Sequence, residues 1–242
     1  MFIMMPACKP AFEIQKSNQI EYVFSDSSNA SIDSTVYGYI KPFREKLSAE
    51  MNTVLAKSEV AMERGIPESR LGNFVADACM VEVEKIYNPS DGHKADFAFF
   101  NNGGLRRSLP QGTITKGDVF ELMPFENELV VLTVNGNVVK KIFNFIASKR
   151  GAPISGARFS IQDGEARNIT IQRQNLDMNK TYKVLTSDYL ANGGDSYDFL
   201  SELPRENVNL KVRDAIIQYL VREGQANRII SIQTDGRIIN AE

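Results

Sequence analysis

An α+β fold, a mixed β-sheet with helices packed on it, is the class expected of this sequence, and three observations agree with it. Apolar residues recur at helical spacing in stretches near 33–55, 70–87, 136–146 and 208–222. Short β-rich runs too brief for helices lie at 97–100, 129–134, 157–161, 168–171 and 182–186, several of them bounded by Gly or Asn turns. The composition, 43% hydrophobic and 24% charged over 242 residues, is that of a globular protein long enough to bury a good core.

Taken in order, residues 1–8 are apolar but much too short to span a bilayer, and they lack the basic start of a signal peptide. Ala7-Cys8 followed by a polar segment looks like the remnant of a lipoprotein-type signal. On that reading Cys8 is lipidated and the protein is tethered in the periplasm or cell envelope, the lipid being its only membrane contact. The alternative is a disordered N-terminus, with a cytoplasmic location if Met1 is the true start. Residues 9–32 form an N-terminal extension with one expected strand, Gln19 to Phe24. Asp33 is a good N-cap for a helix carrying Val36, Tyr37, Ile40, Phe43, Leu47, Met51, Val54 and Leu55, with Pro42 implying a kink or a late start.

A loop or strand from Glu59 to Pro67 leads into a helix, Arg70 to Tyr87, whose Leu71, Phe74, Val75, Ala78, Cys79, Val83 and Ile86 make one apolar face. Asn135-Gly136 opens the next helix, Gly151 to Gly156 is a loop, and a helix near Val208 to Arg222 and a hairpin from Ile229 to Ile239 close the chain.

The stretch from Asp96 to Asn127 invites chemistry. Asp96-Phe-Ala-Phe-Phe100 ends abruptly in Asn101-Asn102-Gly103-Gly104-Leu105-Arg106-Arg107, the way a buried strand delivers polar groups to a sheet edge. Pro124-Phe125 then sets a ring on a stiff turn, where stacking on a flat ligand costs little further freedom.

Other chemistries are excluded. The net charge is −2 with both signs interspersed, so no basic face exists to neutralise a phosphate backbone, and nucleic acid is not an expected partner. One histidine, His93, and two cysteines make a thin pool of metal ligands, so no metal site is expected. There is no Gly-x-Ser-x-Gly elbow, P-loop or dinucleotide fingerprint.

Four words carry a family likeness: Glu68-Ser69-x-Leu71-Gly72-Asn73-Phe74-x-Ala76-Asp77-Ala78, Asn101-Asn102-Gly103-Gly104-Leu105-Arg106, Met123-Pro124-Phe125-x-Asn127 and Asn192-Gly193-Gly194-Asp195-Ser196-Tyr197. Together they resemble the C-terminal, substrate-recognition domain of the 5'-nucleotidase / UDP-sugar hydrolase family. The α+β expectation rests largely on this resemblance, which assigns residues 33–242 to the domain and 33–56 to a linker-like helix.

The resemblance also implies roles. Phe125 and Tyr189 would hold the base between them, Tyr189 standing where phenylalanine is common. Asp195 would bind the ribose hydroxyls, Arg106 would reach the ribose or the α-phosphate, and Asn101 would bond the base edge or order its loop. Gly156 matches a family glycine near the base, and Arg64 is offered for arginines the family places before its Leu-Gly-Asn word, where this chain has Gly65 at the matching position. Each has a plainer alternative: core packing for Phe125 and Tyr189, an Asx turn for Asp195, a surface ion pair for Arg106, a simple turn for Gly156.

In the family, hydrolysis belongs to a two-metal site in a separate domain, whose ligands this sequence lacks. The expectation is therefore the nucleoside- or nucleotide-recognition subunit of a split 5'-nucleotidase. No catalytic residue or cofactor is its own, and divalent metals are held by a separately encoded metallophosphatase. The alternatives are a non-catalytic nucleoside- or nucleotide-binding protein of the cell envelope, and a fragment of a longer enzyme.

Overall fold

The computed structural model describes residues 33–241, so Cys8 and the strand expected at 19–24 lie outside it. The described residues fall into two units that divide between Pro42 and Phe43. Helix α1, Ser34–Met51, starts where Asp33 caps it, the Asp33 carboxylate accepting from the amides of Thr35 (2.9 Å) and Val36 (3.2 Å). It runs through Pro42 instead of starting after it, and it ends before Val54, which opens strand β1, Val54–Ser58.

The elements that follow are α2 (Arg70–Ile86), β2 (Phe97–Phe99), β3 (Gly112–Thr115), α3 (Lys116–Leu122), β4 (Glu128–Asn135) and α4 (Gly136–Ser148). Then come β5 (Ile154–Ser155), β6 (Ala157–Gln162), β7 (Glu165–Ile171), β8 (Gln174–Asn175), β9 (Thr181–Ser187) and α5 (Asp188–Ala191). The chain closes with β10 (Arg205–Lys211), α6 (Val212–Gln225), β11 (Ile229–Ile230) and β12 (Ile238–Asn240). The fold is α+β. A central five-stranded mixed sheet, ordered β10-β4-β9-β2-β5, is accompanied by a three-stranded sheet, β11-β1-β3, and a four-stranded one, β12-β6-β7-β8.

The central sheet is buried on both faces, which its alternation makes visible. Ala98, Phe100, Leu129, Val131 and Leu185 pack into one core with α2 and α6; their neighbours Phe97, Phe99, Val130, Leu132 and Val184 pack into another with α4, β6 and β7. That is why Phe97 to Phe100 read as an unbroken apolar run.

Helix α2 begins where Ser69 accepts from the Gly72 amide at 3.0 Å, and Gly72 lies close to Pro153, whose Cα would be 3.4 Å from an added Cβ. Cys79 is buried on its inner face, where burial pushes the thiol pKa up, as suits a small hydrophobe.

Two expectations about the C-terminal part need correction. Val208 to Lys211 belong to β10, which pairs with β4, and α6 starts only at Val212. Ile229 to Ile239 is no hairpin: β11 runs parallel to β1 and β12 parallel to β6, each finding a remote partner.

Candidate functional site

Strand direction places the candidate residues. β2 and β9 are parallel neighbours, Phe97 opposite Val184, so both chains leave the central sheet at the same end. β4 is antiparallel to β9, Leu129 opposite Ser187, so the chain enters β4 at that end. Asn101 follows β2, Tyr189 follows β9 in α5 and Phe125 precedes β4; three segments distant in sequence therefore emerge together.

The loops are tied to one another. Asn101 Nδ2 donates to Asp195 Oδ2 at 2.6 Å, and the Tyr189 hydroxyl donates to Asp195 Oδ1 at 2.7 Å while accepting from the Asp195 amide at 3.2 Å. The Asp195 carboxylate next to it raises the Tyr189 hydroxyl pKa above that of an ordinary phenol. The Glu128 amide donates to Asp188 Oδ1 (3.1 Å), linking the entry of β4 to α5. Arg106 Nη1 donates to the Gly103 carbonyl at 3.4 Å, and its guanidinium carbon lies 6.0 Å from the Phe125 ring centroid. Gly103 in turn adjoins Asp195, whose Oδ2 would be 3.8 Å from an added Cβ. Asn101, Arg106, Phe125, Tyr189 and Asp195 thus form one continuous set of contacts around Gly103.

Neither ring is a core residue: Phe125 is 40% exposed and Tyr189 42%. Tyr189 is backed by Gly194, where an added Cβ would sit 2.5 Å from the ring and 2.6 Å from the Tyr189 carbonyl, so this turn admits only glycine. Gly193, Asp195 and Ser196 all have φ between 53° and 90°, in the left-handed region. For Asp195 and Ser196 this conformation costs about 1–2 kcal/mol each, which the bonds to Asn101 and Tyr189 and the burial of Tyr197 offset.

Asn101, Gly103, Lys149, Gly151, Asp195 and Tyr197 border a cleft of about 310 Å³. Lys149, just past α4, was not anticipated; as the residue that ends the helix it reads as an ordinary helix end. Two expected residues lie apart from this group. Gly156, at φ 77° with an added Cβ 2.6 Å from the Asp96 carbonyl, borders a different cleft with Arg158, Asp235 and Arg237. Arg64 borders a third, with Arg70 and Glu68. His93 is a half-exposed loop residue, its Nε2 3.0 Å from the Asp96 carboxylate. Among the described residues no group of three or more His, Cys, Asp or Glu side chains is placed to hold a metal ion, and no helix is long and apolar enough to cross a membrane.

The Phe125 loop carries a charge of its own. Glu126 is ion-paired with Lys211 and Arg213, which hold its carboxyl pKa down to about 2. Because the folded value lies below the unfolded one of 4.5, this pairing stabilises fully above pH 4.5 and is lost as pH falls toward 2. Glu126→Gln is therefore expected to lower the urea midpoint at pH 6 slightly, Glu126 being exposed, and the gap from wild type should close between pH 4.5 and 2.

Residues 52–202 match the family model for the 5'-nucleotidase C-terminal domain. The chain belongs to that family. A 5'-nucleotidase of Vibrio cholerae is 28% identical over 202 residues, covering 79% of this chain, and protein UshA of Yersinia enterocolitica is 38% identical over 115 residues, or 46% of the chain. Among solved structures, a 5'-nucleotidase precursor from Thermus thermophilus superimposes with a TM-score of 0.70 at 26% identity over 86% of the chain. The chain spans 34% of the length of the Vibrio cholerae protein, 21% of the Yersinia protein and 43% of the Thermus chain. The matched 5'-nucleotidase C-terminal domain takes in every candidate residue placed around Gly103.

Proposed function

We propose that this domain recognises a nucleoside or nucleotide at the end of its central sheet. Phe125 and Tyr189 receive the base, Asp195 the ribose hydroxyls, Arg106 the ribose oxygens or the α-phosphate, and Asn101 holds Asp195 in place. Base stacking on an aromatic ring stabilises by about 1–3 kcal/mol. The carboxylate can accept two hydroxyl protons beyond the two bonds it already receives, since each oxygen has about two acceptor directions. Hydrolysis of the phosphate ester is assigned to a two-metal metallophosphatase on a separate polypeptide, which supplies the divalent ions. Lipidation of Cys8 and residence in the cell envelope belong to the same proposal.

The observation that carries it is the meeting, from segments remote in sequence, of two half-exposed rings with Asp195, Asn101 and Arg106. Calorimetric titration with a panel of nucleosides and nucleotides is the test. Wild type should bind, Phe125→Ala should weaken binding at least roughly tenfold, and a flat response to the whole panel would remove the reading. Adding a candidate metallophosphatase with divalent metal should then raise nucleotide hydrolysis well above either protein alone. Binding without any such gain would instead favour a non-catalytic nucleoside-binding protein.

A further inference from the structure

The loop that carries Phe125 has no regular structure of its own. α3 ends at Leu122 and β4 begins at Glu128, so residues 123–127 must be held from outside. They are held from the junction of β10 and α6, which reaches the same end of the central sheet because β10 is antiparallel to β4, Lys211 opposite Glu128.

Arg213, in the first turn of α6, has a side chain only 7% exposed. Its Nη1 donates to the carbonyls of Met123 (3.4 Å), Pro124 (3.3 Å) and Phe125 (3.5 Å), and its Nη2 is ion-paired with Glu126. The guanidinium carbon lies 4.2 Å from the Phe120 ring centroid. Lys211 adds a second ion pair to Glu126, and the Val212 amide donates to the Asn127 carbonyl at 2.9 Å. Every residue from 123 to 127 is bonded to Lys211, Val212 or Arg213.

A buried guanidinium is a costly way to fill this space. Its three carbonyl contacts are long and shared by one nitrogen, and its Nε has no partner. A leucine would pack against Phe120 without that desolvation penalty. What only the planar fork provides is simultaneous reach to successive carbonyls and a carboxylate. We infer that Arg213 is the positioning residue for Phe125, fixing the loop so that the ring is set for a base before any ligand arrives. The inference deepens the proposed nucleoside reading and rests on it for the ligand, though not for the geometry.

The chain contains no tryptophan, so Phe125→Trp installs a single optical reporter that is still able to stack on a base. In that background, without ligand, Arg213→Met should enlarge the fast local component of the tryptophan anisotropy decay, and Arg213→Lys should do so to a lesser degree. Adenosine, followed by quenching of the same tryptophan, should bind roughly tenfold more weakly to the Arg213→Met chain, because ligand must then immobilise the loop itself.

Should Arg213→Met fail to fold, Glu126→Gln at the exposed end of the same clamp serves instead, with a smaller change in the same direction. An unchanged anisotropy decay in a folded variant overturns the inference. So does a further loss of adenosine affinity when Arg213→Met is added to Phe125→Ala, since a residue acting through Phe125 has nothing left to position. Absence of adenosine quenching in every chain would instead sink the nucleoside reading, with the anisotropy decay still deciding the role of Arg213.

Discussion

Asp195→Ala is expected to cost adenosine binding at least about 3 kcal/mol, a weakening on the order of a hundredfold or more in Kd. The side chain already accepts from Asn101 at 2.6 Å and Tyr189 at 2.7 Å, so its position is set before the ribose arrives. Two ribose hydroxyls donating to a charged carboxylate would each contribute about 1.5–3 kcal/mol. Alanine removes both bonds and leaves the Asn101 amide and the Tyr189 hydroxyl without their partner.

Part of any loss could come from the backbone, because Asp195 has φ 53° and alanine tolerates that region poorly. Asp195→Asn separates the effects: asparagine accepts the left-handed conformation but offers one carbonyl oxygen in place of two carboxylate oxygens. Calorimetry with adenosine and 2',3'-dideoxyadenosine gives the decisive comparison. Wild type should strongly prefer adenosine, and both variants should lose most of that preference. Equal affinity of wild type for the two nucleosides would remove Asp195 from the ribose site, whatever the variants do.

What could be read from the residues alone depended on whether the signal was local. α2 was legible because Leu71, Phe74, Val75, Ala78 and Val83 mark its inner face, while the Ser69 cap that starts it emerged only in the structure. The passage from β4 into α4 was legible because Asn135-Gly136 punctuates it, and the Asn135 side chain does accept from the Val138 amide. The start of α6 was not, because Val208, Leu210 and Val212 alternate as a strand while Val212, Ala215 and Ile216 continue at helical spacing, with no Gly or Pro between the two patterns. β11 and β12 look like a hairpin within their own window, and only pairing with β1 and β6 reveals them as members of different sheets.

The site divides the same way. Residue types and family words pointed to Asn101, Arg106, Phe125, Tyr189 and Asp195, but the bond between Asn101 and Asp195 spans 94 positions and belongs to the fold. Arg213 gave no signal, since an arginine near a helix start reads as a solvated charge; its burial under residues 123–127 arises only in tertiary structure.

Arg237→Met is the substitution expected to destabilise the fold most among its surface-reaching charges. Arg237 Nη1 donates to Asp77 Oδ1 and to the Ile154 carbonyl, both at 2.8 Å; Nη2 donates to Asp77 Oδ2 at 3.1 Å and Nε to Asp235 Oδ1 at 3.0 Å. One side chain thereby fastens the segment before β12 to α2 and to β5. Glu68, 7% exposed and 3.9 Å from the Arg237 Nε, is drawn into the same cluster and accepts from the Asn73 side chain and the Asp235 and Gly236 amides. Methionine would fill much of the space yet leave Asp77 and Glu68 without their guanidinium, while Asp235 keeps only Arg158. Breaking a buried pair this way costs about 3–5 kcal/mol, and the partial exposure of Asp77 (33%) and Asp235 (41%) argues for the lower end.

For a domain of this size about 3 kcal/mol corresponds to a fall in Tm of roughly 6–12 °C, which scanning calorimetry resolves easily. Arg167→Met is the matching control: its partner Glu165 and Arg167 itself are both more than half exposed, so the loss there should stay below about 1 kcal/mol. Arg237→Lys should fall between the two, keeping the charge but losing the fork that reaches Asp77 and Asp235 together. Equal shifts for Arg237→Met and Arg167→Met would mean that the cluster is solvated in solution and that the segment before β12 is held by strand pairing with β6, by Glu68 on the Asp235 and Gly236 amides and by Arg158 on Asp235.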